Sequence, residues 1–103
     1  MLIVMTTTPY LHQAEALAAK IVEGKLGACV QILAPVTSLY VWKGKVRKDK
    51  EHLMLIKTLP ERYDELAAFI TEHSSYEVPE IVAIEAEKVS EPYLEWMKGV
   101  IDV

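Results

Sequence analysis

The sequence has one cysteine and four glycines among its 103 residues. A single cysteine excludes a disulfide within the chain and is typical of a reducing compartment. Neither a glycine-rich loop that could hold a phosphate nor a G-x-S-x-G nucleophile motif is present. The sequence therefore predicts no enzyme of the classes that these two motifs define.

Long apolar runs and an excess of positive charge are also missing. No run approaches the roughly 20 residues of a membrane-spanning helix, and the N-terminal segment lacks the basic start of a signal peptide. We therefore predict a cytoplasmic protein that does not associate with a membrane. The net charge of −4 argues against nucleic acid as a partner.

Apolar residues are abundant in this sequence. They make up 51% of the chain against 25% charged residues, which predicts a packed core rather than disorder. The length fits one domain that spans residues 1–103. A domain of this size buries only about two thirds of its unfolded surface, so a further interface would add stability.

The N-terminal part of the chain alternates between strand and helix patterns. The apolar run Leu2–Met5 and the threonines after it predict a buried strand. Thr8 and Pro9 predict the start of a helix, with Thr8 as the capping residue. Gly24 and Gly27 offer the left-handed geometry that ends a helix.

The later segments complete the predicted order of elements. A second helix begins at Pro60, a strand spans Ile81–Ala86, and Ser90 begins a C-terminal helix. The order is β-α-β-β-α-β with one added helix. It predicts an α+β, ferredoxin-like fold, in which an antiparallel sheet carries two helices on one face. The other face then needs a cover, which the last helix and self-association could supply.

The segment Ala28–Thr58 predicts a hairpin that is too long for the rest of the domain. Two strand-like runs flank a turn at Lys43–Lys45, and each run exceeds the usual strand length of about 5–6 residues. Pro35 cannot donate to a strand ladder and indicates an edge or a bulge. Tyr40 and Trp42 lie in the outer half, where the monomer offers no cover.

Residues that could bind a metal show no metal-motif spacing. They are His12, Cys29, His52 and His73, and no CxxC, HExxH or HxxxH is present. Cys29 is either a small buried apolar residue or a soft-metal ligand that faces a cleft. His73 either complements the negative end of a helix or belongs to a site.

Other polar residues also have two interpretations. Lys57 ends an apolar strand and either extends to solvent at the edge of the sheet or points into a cleft. Tyr76 and Glu80 lie in a restricted loop beside Pro79, where they form either a structural connector or part of a site. The five cations within Lys43–Lys50 either block edge pairing or bind phosphate.

A set of short motifs resembles the CutA family of divalent-cation tolerance proteins over almost the whole chain. In chain order the motifs are Ala28-Cys29-Val30, Ser38-x-Tyr40-x-Trp42-x-Gly44, Glu51, Ile56-Lys57-Thr58, Tyr76-x-x-Pro79-Glu80-Ile81 and Tyr93-Leu94-x-Trp96. The resemblance implies a tight homotrimer, similar in build to PII-type signalling proteins, in which the long hairpin reaches neighbouring subunits. It also implies weak binding of Cu(II) or another divalent metal, which folding does not require, and no enzymatic activity.

The resemblance assigns roles to individual residues. It implies a cleft between subunits lined by Lys57, Tyr76 and Glu80, and a trimer interface formed by Tyr40, Trp42 and Gly44. It implies a metal site at Cys29, Glu51 and His73, although the family histidine usually stands where this chain has Ser74. The alternative is a PII-like trimeric sensor or scaffold that binds a small anionic ligand or a partner protein.

The topology is also used by acylphosphatases, which need an arginine in a phosphate-binding loop after the first strand. The corresponding segment, residues 6–9, contains no arginine. This absence argues against a phosphatase function.

Overall fold

The computed structural model describes residues 1–101, so residues 102–103 of the predicted domain lie outside the described part. The described chain contains five strands and three α-helices. In chain order they are β1 (Leu2–Thr8), α1 (Leu11–Glu23), β2 (Cys29–Ile32), β3 (Val36–Trp42), β4 (Lys45–Thr58), α2 (Tyr63–His73), β5 (Val82–Glu85) and α3 (Glu91–Ile101).

The strands form one open antiparallel sheet. Its order is β2-β4-β1-β5, and β3 pairs with the outer part of β4. Strand β4 is therefore the centre of the sheet and also one side of the projecting hairpin. The α+β class, with one antiparallel sheet and three helices, agrees with the prediction from the sequence.

Helices α1 and α2 cover one face of the sheet, here called the helix face. Val4, Met54 and Ile56 point to this face and are fully buried. They pack against apolar residues of α1 and α2, namely Ala14, Leu17, Ile21, Leu66 and Ile70. This cluster is the main core.

The opposite face, here called the open face, is only partly covered within one chain. By strand alternation it carries Ile3, Met5 and Leu55, and the register adds Val82 and Ile84 from β5. The last two residues are 44% and 50% exposed. One chain thus leaves an apolar sheet face open to solvent.

Helix α3 packs at one end of the sheet. Met97 and Ile101 are fully buried and form a second cluster with Ala28 and Leu59. Tyr93 of the same helix lies beside Lys57 on the open face. Helix α3 therefore covers only the end of the open face, as one part of the cover that the sequence predicted.

The first strand includes Thr8, which the sequence assigned to the start of the helix. Thr8 pairs with His52 of β4. Helix α1 starts only at Leu11, and its capping position is Tyr10 without a side-chain cap. The predicted capping role of Thr8 is wrong, because pairing with β4 holds this residue in the sheet and its hydroxyl donates instead to the carbonyl of Tyr10.

The end of α1 uses its glycines in another way than predicted. The left-handed residue is Lys25, with φ 59°, whereas Gly24 has φ −81°. Gly27 is required for packing, since a Cβ there would lie 2.8 Å from a methyl group of Ile56 and 3.0 Å from one of Ile21. Gly27 lets the chain pass close to the core.

The hairpin contains a bulge and a tight turn. Ile32 pairs with Met54 and Val36 with Glu51, so three residues including Pro35 face two on β4. This extra residue is a bulge and explains Pro35. At the far end Lys43 and Gly44 have φ 51° and 77°, the two positive values typical of a type I′ turn.

Candidate functional site

A groove of about 790 Å³ runs along the hairpin, on the side of the open face. One wall is formed by β3 and β4, and the other by the connector, residues 74–81, which lies between α2 and β5. The groove is lined by the aromatic residues Tyr10, Tyr40, Trp42 and Tyr76, the acidic residues Asp49, Glu51, Glu77 and Glu80, and the basic residues Arg47 and Lys50. Acidic groups outnumber basic ones, so the lining favours cations.

Glu51 is the best-organised polar group in this groove. Tyr76 donates its phenolic hydrogen to Oε2 at 2.7 Å, and the hydroxyl groups of Ser38 and Thr7 also stabilise the ionised carboxylate. Burial alone would raise the pKa of Glu51, but the three hydroxyl groups outweigh it and hold the pKa below its ordinary value. Glu51 is therefore held as a fixed anion.

A second phenol–carboxylate pair lies beside the first. Tyr40 donates a hydrogen bond to Asp49, which also lies 3.9 Å from the exposed guanidinium of Arg47. The hydrogen bond to Asp49 and partial burial raise the pKa of Tyr40, and burial and the bond to Glu51 raise the pKa of Tyr76. Both phenols thus remain neutral donors near neutral pH.

The structure brings several of the predicted site residues into this groove. Glu51, Tyr76 and Glu80 line it, together with Tyr40 and Trp42. The aromatic residues expected at a subunit interface therefore also border the candidate site.

Gly44 lies outside the groove, in the hairpin turn. A Cβ at this position would have no neighbour within 4 Å. Within one chain its positive φ accounts for the glycine.

Cys29 and Lys57 lie at the other end of the open face. They are cross-strand partners, and the ammonium of Lys57 lies 5.4 Å from the centre of the Tyr93 ring. Lys57 and Glu51 are six residues apart on β4, which separates them by roughly 20 Å. Cys29 and Glu51 of one chain therefore cannot bind the same ion.

His73 lies apart from both residues. Its Nδ1 donates to the carbonyl oxygen of Phe69 at 2.9 Å, and its ring stacks on the Phe69 ring. It lines a small cavity of about 20 Å³ with Thr6 and Thr8, room for about one water molecule. Among residues 1–101 no three acidic, histidine or cysteine side chains form a group that could hold a metal ion.

Thr7, Ser38 and Asp49 are among the groove residues that were not predicted from the sequence. The turn at Lys43 and Gly44 fixes the register of the hairpin and so places Ser38 opposite Asp49. That signal was available in the sequence and would have put both side chains on the same face as Glu51. Thr7 carries no such signal, because its place depends on the pairing of β1 with β4.

The fold and the groove define a class of protein: a small α+β protein with one open antiparallel sheet, a projecting hairpin and an acidic, aromatic groove along the hairpin. The family model described as "CutA1 divalent ion tolerance protein" matches residues 2–100. The chain belongs to this family.

Individual relatives agree with this assignment. A divalent-cation tolerance protein CutA from Thermus thermophilus is 36% identical over 96 residues, which cover 93% of each chain. Human protein CutA is 38% identical over 93% of this chain but only 54% of its own length. The chain thus spans about half the length of the human and plant relatives that it matches.

The solved structures show the same architecture. The structure described as the periplasmic divalent cation tolerance protein CutA from Archaeoglobus fulgidus superposes with a TM-score of 0.94 at 33% identity, covering 98% of this chain and 99% of that one. Names of relatives refer to cation tolerance rather than to a reaction. None of the helices within residues 1–101 has the length and apolar content needed to cross a membrane.

Proposed function

We propose that this protein is a divalent-cation tolerance protein that acts as a homotrimer. Each subunit is a single ferredoxin-like domain, and Cu(II) or a similar divalent ion binds weakly in the clefts between subunits. The protein acts by binding rather than by catalysis. The observation that carries the proposal is the fixed anionic carboxylate of Glu51 in an acidic groove, next to an apolar sheet face that one chain leaves open.

The uncovered surfaces support assembly. Val82 and Ile84 expose apolar surface on the open face, and Leu39, Val41 and Val46 expose more on the hairpin, at 67%, 68% and 74%. By strand alternation the hairpin residues lie on the side opposite Tyr40 and Trp42, so the two apolar patches mark two separate interaction surfaces. Further copies of the chain would cover them, with Tyr40, Trp42 and Gly44 at the interface.

The separation of the candidate ligands supports a site between subunits. Cys29 and Glu51 lie at opposite ends of the open face of one chain. A second copy packed against this face would bring Cys29 of one subunit towards Glu51 of another. Lys57, Tyr76 and Glu80 would line the same cleft, and His73 is a further candidate ligand.

Titration calorimetry with Cu(II) tests the proposed site. We expect weak binding by the wild type, and weaker binding after Cys29→Ala or Glu51→Gln. Glu15→Gln is the matched control, because Glu15 is an exposed carboxylate on α1, which covers the opposite face of the sheet. Equal binding by all four proteins would exclude Cys29 and Glu51 as ligands, and no binding by the wild type would refute metal binding.

The assembly is tested separately by light scattering. The measured molar mass of the wild type should be that of three chains, and the mass of Trp42→Ala should be closer to that of one chain. If Trp42→Ala remained a trimer, the hairpin would not be required for the interface.

A second candidate function is a PII-like sensor or scaffold for a small anionic ligand or a partner protein. Lys57 favours it, since its ammonium faces the Tyr93 ring and has no carboxylate partner in the part of the chain that the structure describes. An anion that binds only the folded protein would raise the melting temperature. A thermal-shift screen should show this rise in the wild type and lose it in Lys57→Gln.

We propose a cytoplasmic location, as the single cysteine indicates. The Archaeoglobus fulgidus relative is described as periplasmic. Cell fractionation with an antibody against the chain decides between the two compartments.

A further inference from the structure

The connector is the least anchored part of the groove wall. It comprises residues 74–81, which contain no helix or strand. Val78 is 68% exposed, and Glu77 and Glu80 are exposed as well. A segment with few buried groups opens more easily than the core.

Ile81 at the end of the connector packs against the main core. Before it, three polar side-chain contacts fasten the connector to the rest of the protein, and they differ in strength. Lys43 and Glu77 are 3.9 Å apart with both side chains more than 70% exposed, so this ion pair contributes little. Ser75 donates to Gln13 at 3.2 Å in an exposed position. The bond from Tyr76 to Glu51, at 2.7 Å, is half-buried and involves an ionised acceptor, which makes it the strongest of the three.

The acceptor of this bond has little capacity left. A carboxylate offers about four lone-pair sites. Tyr76 occupies one of them at Oε2, and the hydroxyl groups of Ser38 and Thr7 also interact with the carboxylate. A cation that coordinates both oxygens of Glu51 needs two of these sites, including one on Oε2, and therefore competes with the hydroxyl groups for the carboxylate. Ser38 and Thr7 belong to strands of the sheet, whereas Tyr76 belongs to the connector, so Tyr76 is the donor that leaves most easily.

We propose that the Tyr76–Glu51 hydrogen bond is a latch that holds the connector closed over the groove, and that a divalent cation and the closed connector compete for the same carboxylate. The competition rests on the proposed function, because it assumes that the cation binds at Glu51. The latch itself does not depend on it. By reciprocity, a cation at Glu51 opens the connector by the same factor by which the closed connector weakens cation binding.

Tyr76→Phe separates the latch from every other role of this side chain, since it keeps the ring and removes only the phenolic donor. Tyr10→Phe is the matched control, because Tyr10 lines the same groove but lies outside the connector. Hydrogen exchange measured by mass spectrometry should show faster exchange of amides 74–81 in Tyr76→Phe and no change in Tyr10→Phe. Unchanged exchange in Tyr76→Phe would overturn the latch.

Calorimetry with Cu(II) on the same variants tests the competition. Tyr76→Phe should bind Cu(II) about tenfold to a hundredfold more tightly than the wild type, the factor that one hydrogen bond to a charged group accounts for, and Glu51→Gln should lose this gain. Adding Cu(II) to the wild type should also speed exchange in residues 74–81. Faster exchange in Tyr76→Phe without tighter binding would overturn the competition.

The two proposals fail in different ways. If Cu(II) binds neither the wild type nor Tyr76→Phe, the metal function and the competition are both wrong. Hydrogen exchange still decides whether Tyr76 fastens the connector, because that comparison needs no metal.

Discussion

At Glu51 three hydroxyl groups from separate segments converge on one carboxylate. Thr7 comes from β1, Ser38 from β3 and Tyr76 from the connector. The contact with Ser38 follows from the hairpin register and could be predicted from the sequence. The contact with Tyr76 could not, because the path of the connector is fixed by its packing and not by any repeat or motif.

The lowered pKa of Glu51 predicts how its contribution to stability changes with pH. Its pKa in the folded protein is below the ordinary value of 4.5, so the unfolded chain binds more protons between the two values. The contribution of Glu51 is therefore fully present above about 4.5 and is lost as pH falls through the lower, folded pKa. Urea unfolding between pH 3 and 7, at constant protein concentration, should show a shallower decline for Glu51→Gln than for the wild type.

Gly27 provides a test of close packing at a single residue. Gly27→Ala would place a Cβ 2.8 Å from a methyl group of fully buried Ile56, and overpacking of this kind costs about 1–3 kcal/mol. Gly99→Ala is the control, because the space around Gly99 is open and alanine favours a helix by up to about 1 kcal/mol. Chemical unfolding should give a lower free energy of unfolding for Gly27→Ala and a higher one for Gly99→Ala. Equal changes in the two variants would contradict this account of Gly27.

Among the elements, the helices and the hairpin were predictable because their signals are local. Helical spacing and the Lys43-Gly44 turn are properties of neighbouring residues. The end of β1 was not predictable in this way, since Thr8 stays in the sheet through its pairing with His52. Pro35 indicated a bulge, but only the register showed that it divides the first hairpin strand into β2 and β3.

The turn of the hairpin offers a test at this scale. Gly44→Ala should destabilise the protein by about 1–2 kcal/mol, because a left-handed conformation is costly for a residue with a Cβ. A steric clash is not the cause, as no atom lies within 4 Å of the added group. Lys43→Asn is the counterpart, since asparagine followed by glycine suits this turn. In thermal unfolding, Gly44→Ala should have a lower melting temperature than the wild type and Lys43→Asn should not. An unchanged melting temperature for Gly44→Ala would contradict the assigned turn type.

For the whole molecule, the open face of the sheet is the feature that one chain does not explain. The sequence predicted an uncovered face, because two helices can cover only one side of a sheet. The position of the candidate ligands on that face could not be predicted, since it depends on how β2 pairs with β4. This pairing places Cys29 opposite Lys57, far from Glu51.

Substitutions at two apolar residues of similar exposure can test whether the open face is the interface. Ile84 on β5 is 50% exposed and Val22 on α1 is 45% exposed. Ile84→Glu should reduce the mass measured by sedimentation velocity towards that of one chain, because it puts a charge into the proposed interface. Val22→Glu should leave the mass unchanged, and the opposite pattern would place the interface on the helix side.

Strand β4 has a consequence for how the chain can vary in length. It runs without a break over 14 residues, from the hairpin turn to Thr58, and its side chains alternate between the two faces throughout. Deleting one residue near Glu51 would exchange the faces of every side chain beyond that point, including those of Arg47 and Asp49. Insertions and deletions should therefore be absent from β4. The bulge at residues 33–35 can accommodate a change in length, because the side chains of β4 then keep their faces.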